Sequence, residues 1–134
     1  RRQRQMCIRD SFKFGIKGFL QWGYNFYHAD RSMYVIDPYL TSSGDGMVPS
    51  GDPFSVYPGK DGPVASLRAL NFKDALQDVD ILKALAQRTS HEHVVELIEK
   101  LAGMEIRFDK YPRNYEFIPA LMDAVRLELE AGTC

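Results

Sequence analysis

Apolar positions in the second half of the chain repeat at helical steps. Leu67, Leu70, Phe72, Ala75, Leu76, Val79, Leu82 and Leu85 are three or four residues apart or fill the steps between. That pattern predicts a helix over about 64–88 with a broad apolar face. Pro63 stands just before its start, a favoured place for proline. A second helix is expected over 90–102, with Val94, Val95, Leu97, Ile98 and Leu101 inward. Thr89 with Glu92 three residues on makes a capping-box pattern, and Gly103 suits the position after the last turn. A third helix is expected over 114–131, carrying Phe117, Ile118, Leu121, Met122, Val125 and Leu129, and ended by Gly132. Pro119 falls near its first turn, so the regular part can begin only there. Met6, Ile8, Phe12 and Phe14 give no clean stripe, so 1–14 reads as a weak helix stopped at Gly15.

The first half changes period. Phe19 to Tyr27 run without a charge, bracketed by Gly18 and interrupted by Gly23. Phe19 and Leu20 read as a short buried strand, because a compact apolar run bounded by glycine is its usual signature. Trp22, Tyr24 and Asn25 follow, each with an apolar body or a polar handle suited to a pocket wall; filling volume in a core is the plainer use of such rings. From Tyr24 to Pro53 the turn signals crowd together: Asp37-Pro38, Ser42-Ser43-Gly44-Asp45-Gly46 and Pro49-Ser50-Gly51-Asp52-Pro53. Tyr27, Tyr34 and Tyr39 lie inside this region, which distinguishes it from a solvated linker and predicts an ordered loop that covers something. Phe54-Ser55-Val56-Tyr57 alternates and reads as a second strand, ended by the turns at Pro58-Gly59 and Asp61-Gly62-Pro63. Two strands alone make a marginal sheet, so something outside this chain or a partner copy is expected to complete it.

Composition narrows the class. With 134 residues, 45% hydrophobic, the chain is long enough for one domain with a core. A net charge of −1 and a pI near 6.3 argue against a nucleic-acid partner, which calls for a basic stripe. Arg1, Arg2, Arg4 and Arg9 are the only basic cluster, and no apolar segment follows them as in a signal peptide. No apolar run reaches the roughly 18 residues of a membrane span, so no membrane partner is expected and a cytoplasmic location is. Cys7 and Cys134, at opposite ends, read as free thiols rather than as a disulfide framework.

Reactive constellations are few. His91-Glu92-His93 lacks the second histidine four residues after the first, where Val95 stands, so a zinc site of that kind is not expected. Asp74 and Asp78 share a helix face, a spacing that serves acid–base pairs as well as solvated faces. Gly44-Asp45-Gly46 has neither the lysine of a phosphate loop nor the spaced acids of an EF-hand. No cofactor and no metal is implied.

Three blocks in order, GIKGFLQWGYNFY, SGDGMVPSGDPFSVYPGKDGPVASLR and FKDALQDVDILKAL, resemble the C-terminal part of the bacterial family named domain of unknown function 4091. That segment ends the catalytic barrel of proteins similar to glycoside hydrolase family 123. The resemblance covers about 12–85. It implies an α/β fold: the last two strand–helix units of a (β/α)8 TIM-type barrel, with Gly18–Trp22 as penultimate strand, Phe54–Tyr57 as last, and 64–88 as closing helix. The division implied is an atypical lead-in over 1–11, the barrel segment over 12–88 and an appended helical pair over 89–134. In such barrels chemistry sits at the C-terminal ends of strands. There Trp22, Tyr24, Asn25 and Tyr57 would line a substrate-binding wall, roofed by the loop that carries Asp45 and Asp52.

Family 123 enzymes release N-acetylgalactosamine from glycoconjugates. The substrate's acetamido group attacks the anomeric carbon, oriented by an adjacent aspartate–glutamate pair. No Asp-Glu dipeptide occurs in this sequence, so the chain alone is expected to be inactive, to supply only sugar-binding aromatics and polar groups to the parent protein's site, and to need the missing N-terminal barrel portion as partner. RRQRQMCIRD also departs from the family's lead-in. The competing expectation is a non-enzymatic helical module that docks on a partner or dimerises.

Overall fold

The computed structural model describes residues 11–18 and 22–132. Among them are three helices, α1 (Leu67–Arg88), α2 (His91–Ala102) and α3 (Phe117–Ala131). Four short strands make two antiparallel hairpins. In one, β1 (His28–Ala29) pairs with β2 (Tyr34–Val35); in the other, β3 (Val56–Gly59) pairs with β4 (Gly62–Ala65). The chain divides into two compact units: 1–17 with 72–134, and 18–71.

In the helical unit, the core is Phe12, Leu82, Leu85, Val94, Ile98, Ile106, Phe117, Leu121, Met122 and Val125. Those positions follow the stripes read from the sequence on all three helices. A smaller cluster of Ala75 and Val79, with Phe72 against it, continues along α1. Residues 11–13 are helical and end as expected: Gly15 takes φ +66°, its N–H donates to Phe12 O, and Ile16 N–H donates to Ser11 O. Lys13 closes the unit, its Nζ donating to Glu99 Oε1 at 2.6 Å and to Ile106 O at 2.8 Å.

Several boundaries differ from expectation, each for a local reason. Residues 64 and 65 belong to β4, not to the first helix. Ser66 starts α1 instead, its Oγ accepting from the N–H groups of Arg68 and Ala69. The cap of α2 is Ser90, not Thr89: Ser90 is extended and accepts from His93 N–H. The Thr89 hydroxyl donates back to Leu85 O at 2.9 Å and so finishes α1. Gly103 ends α2 at φ +64°. The third helix starts at Phe117, with Pro119 in its first turn. Leu67, Leu70 and Leu76 are exposed rather than inward, at 63%, 47% and 45%.

The second unit has a core of Ala29, Ile36 and Phe54, with Tyr27 and Tyr57 packed on it. The expected strand over 54–57 begins at Val56, and β4 is an addition. Pro58 faces Pro63 across this hairpin. Neither proline has an N–H, so the ladder bonds fall to the flanking pairs Tyr57–Val64 and Gly59–Gly62. The strand read at Phe19-Leu20 lies over residues 19–21, outside the described residues, as do Cys7 and Cys134; Trp22 itself is irregular. The long region 24–53 contains the β1–β2 hairpin, with Arg31 and Ser32 at φ +53° and +69° in its turn. Its remainder is tied by backbone bonds such as Ile36 N–H to Tyr27 O and Gly51 N–H to Ser42 O.

Candidate functional site

All six residues singled out as a binding wall lie in the unit formed by 18–71. Two backbone segments of that unit approach closely. A Cβ at Gly23 would stand 2.1 Å from Asp52 O and 2.7 Å from the carbonyl of Pro53. Only a residue without a side chain allows the two segments to meet there. Phe26 N–H donates to Pro53 O and Ser55 N–H to Tyr24 O at 2.7 Å, and Asn25 bridges Phe54 in antiparallel sense. Residues 22–26 and 52–56 are therefore side by side.

Alternation along the first segment then sorts the rings. Trp22, Phe26 and His28 form a row, with centroid separations of 5.6 Å and 5.3 Å. Tyr27 points to the other side, where its ring meets Phe54 at 5.4 Å. Phe54 meets Tyr57 edge-on at 5.2 Å, and Tyr57 meets Tyr39 at 5.2 Å. Trp22 and Tyr57 thus belong to separate ring groups, and among the described residues no ring contact joins them. The structure brings Tyr57 together with Tyr39 and Phe54, and Trp22 together with Phe26 and His28.

Exposure divides these residues. Trp22 is 49% exposed and Tyr24 58%, whereas Phe54 is fully buried. Asn25 and Asp45 are exposed; Asp52 and Tyr57 are half-buried. Asp45 adopts φ +57° between Gly44 and Gly46, which are also left-handed. The Tyr34 hydroxyl donates to Asp45 Oδ2. That bond fixes the carboxylate and leaves it lone pairs for a further hydroxyl. Tyr27 donates its hydroxyl to Val56 O at 2.8 Å. Burial, with Tyr39 and Tyr24 adding, holds its phenol above the ordinary value, so it stays a neutral donor.

The sequence reading missed Tyr34, Phe26, His28 and Arg68. In the sequence Tyr34 stands out only as one aromatic of the loop, and Arg68 only as the end of the second family block. Period-two alternation from Trp22 to His28 was the available signal for the ring row. In the two-histidine segment, His91 Nε2 lies 3.1 Å from Lys13 O, and His93 Nε2 pairs with Glu128 at 2.7 Å. Among the described residues no group of three or more His, Cys, Asp or Glu side chains could hold a metal ion. Nor is any described helix long and apolar enough to cross a membrane.

What these surfaces can do is stack on a ring and hydrogen-bond hydroxyls. The comparison with known families decides the class. Residues 2–85 match the family model of the glycoside hydrolase 123 catalytic domain. The chain belongs to glycoside hydrolase family 123. No curated protein matches the chain significantly. The family 123 match contains Trp22, Tyr24, Asn25, Asp45, Asp52 and Tyr57, takes in the basic lead from residue 2, and stops within α1. A glycoside-hydrolase-like function and a carbohydrate as substrate follow from membership.

Proposed function

We propose that the unit formed by 18–71 supplies part of the sugar-binding wall of a family 123 barrel, for a substrate of the N-acetylhexosaminide type. The observation that carries this is an exposed Trp22 and Tyr24 beside Asn25, all held by the glycine-dependent approach of 22–26 to 52–56. An indole half open to solvent suits the apolar face of a sugar ring. Asp45, aimed by Tyr34, and Asp52 provide hydroxyl partners. The domain-of-unknown-function 4091 likeness, the TIM-type barrel fold and a closing role for α1 belong to the same proposal. The acid and the acetamide-orienting carboxylate come from elsewhere in the barrel, since this sequence has no Asp-Glu pair.

Trp22 is the only tryptophan, so its emission reports on this surface alone. Titration with N-acetylgalactosamine is expected to change that emission saturably. Trp22→Ala is expected to weaken binding at least about tenfold, the loss of one good stacking contact. An emission that ignores the sugar, or a Trp22→Ala chain that binds as before, refutes the wall.

One observation favours a second reading, a module that docks through helix α1: the exposure of Leu67, Leu70 and Leu76. Sedimentation separates the two, because self-association abolished by Leu70→Lys, in a chain whose Trp22 emission ignores the sugar, would select docking.

A further inference from the structure

Arg68 is placed in a way that its helix does not require. It stands in the first turn of α1, yet its guanidinium lies within the ring group of Tyr57. Its Cζ is 5.5 Å from the Phe54 ring centroid and 5.7 Å from that of Tyr57. Nη2 donates to Phe54 O at 2.8 Å and reaches the Tyr57 hydroxyl at 3.5 Å. On another side is Gly51, at φ +89°, where an added Cβ would come within 2.8 Å of Arg68 Cδ and 3.0 Å of Nε. The loop has a glycine there, and the guanidinium fills the space.

This arrangement leaves a cost unrepaired. Arg68 Nε is buried and finds no acceptor among the described residues. A buried donor without a partner opposes folding, and such groups call for a reason beyond stability. A lysine would span the same distance without the orphan N–H, and its single ammonium could still reach Phe54 O. It could not lie flat against two rings while donating from a fork.

We infer that Arg68 is a positioning residue: it sets the pose of Tyr57, and through it Tyr39, on the sugar-binding wall, with Gly51 kept bare to admit it. The inference rests on the sugar-wall reading for its consequence, though not for its geometry. Tyr39 is fixed at its far end by its hydroxyl bond to Pro58 O at 2.7 Å. The Tyr39–Tyr57 pair is therefore anchored by β3 at one end and by Arg68 at the other.

The test compares Arg68→Lys, Arg68→Met and Gly51→Ala with the wild-type chain. Ring signals of Tyr57 and Tyr39 are read by NMR, binding of N-acetylgalactosamine by titration, and unfolding midpoints by denaturant. Arg68→Lys and Arg68→Met are expected to keep midpoints near that of the wild type. Both are expected to shift the Tyr57 ring signals, leave those of Trp22 in place, and weaken sugar binding by about five- to tenfold, with lysine no better than methionine. Gly51→Ala, which keeps the arginine but crowds it, is expected to move the same Tyr57 signals, and it carries the test if the arginine variants do not fold. Tyr57 signals that stay put in the folded variants overturn the inference. So does lysine restoring wild-type affinity, which would reduce Arg68 to a charge. If Tyr57 moves while the wild-type chain ignores the sugar, the wall reading fails and Arg68 stands as the organiser of the ring pair.

Discussion

Gly23 occupies a point where a methyl group cannot fit. Its neighbour across the gap is backbone, the carbonyls of Asp52 and Pro53, and not the movable end of a side chain. Relief must come from separating two chain segments, which also strains the bonds from Ser55 N–H to Tyr24 O and from Phe26 N–H to Pro53 O. Gly23→Ala is therefore expected to destabilise the chain by about 2 kcal/mol or more, at the upper end of ordinary substitutions. A denaturant midpoint within experimental error of wild type would contradict the close approach. Gly18 has open space around it, so Gly18→Ala is the matched control and is expected to be nearly neutral. The sequence places both glycines in or beside one aromatic run, with nothing to rank them. Only the partner segment, some thirty positions later in the chain, tells them apart, and nothing local to Gly23 encodes it.

Within single helices the sequence was a good guide, because a stripe repeating every three or four residues is a property of the segment itself. The buried faces of α2 and α3 follow it, as do the stops at Gly15 and Gly103. Where two segments compete for the same residues it was a weaker guide. Val64 and Ala65 pair with Tyr57 and Val56 respectively, and that pairing moved the start of α1 to Ser66. Thr89 and Ser90 are both good caps by type; which one serves depends on whether the hydroxyl turns back to Leu85 or forward to His93. The aromatic character of the proposed wall was legible from Trp22, Tyr24 and Tyr57. Alternation could also give the row of Trp22, Phe26 and His28, but not the second ring group, which gathers on Phe54 from the other segment.

The contact between residues 11–13 and α2 shows how such a pairing is felt. Glu99 accepts from Lys13 Nζ and from Ile106 N–H. The Lys13 hydrogen bond, then the Ile106 N–H, hold its carboxyl below the ordinary value of 4.5. A carboxyl lowered by folding adds stability that is complete above that ordinary value and disappears as pH falls through the folded value. Glu99→Gln is expected to lower stability at pH 7 by about 1–2 kcal/mol, since it removes a charge-assisted bond from a half-buried site. The deficit should shrink as pH falls from about 5 to 3, because wild type then loses what the variant never had. Denaturant midpoints at pH 7 and pH 3 check this. A deficit equal at both would mean that the carboxylate's charge contributes nothing.

Across the whole chain, the two units carry different amounts of core. The unit built on α2, α3 and most of α1 has a cluster that includes Leu82, Leu85, Val94, Leu121 and Val125, all at 1% exposure or less. The unit formed by 18–71 has Ala29, Ile36 and Phe54, and it is held largely by backbone bonds, glycine contacts and ring pairs. Apolar burial is the main favourable contribution to folding, so free energies of local opening should follow this inequality. Hydrogen exchange is expected to be slowest at core amides of α2 and α3, and faster across β1, β2 and the loop 37–53. Sites that bind ligands are drawn from the less stable parts of a protein, and a ligand that binds only the folded form slows opening by mass action. N-acetylgalactosamine at about a hundred times its dissociation constant should then slow exchange about a hundredfold in the amides of 22–28 and 52–57 that exchange by opening of that unit. Exchange in α3 should stay unchanged. Uniform protection of both units would instead mean that they open together, and protection confined to α3 would move the sugar site out of 18–71.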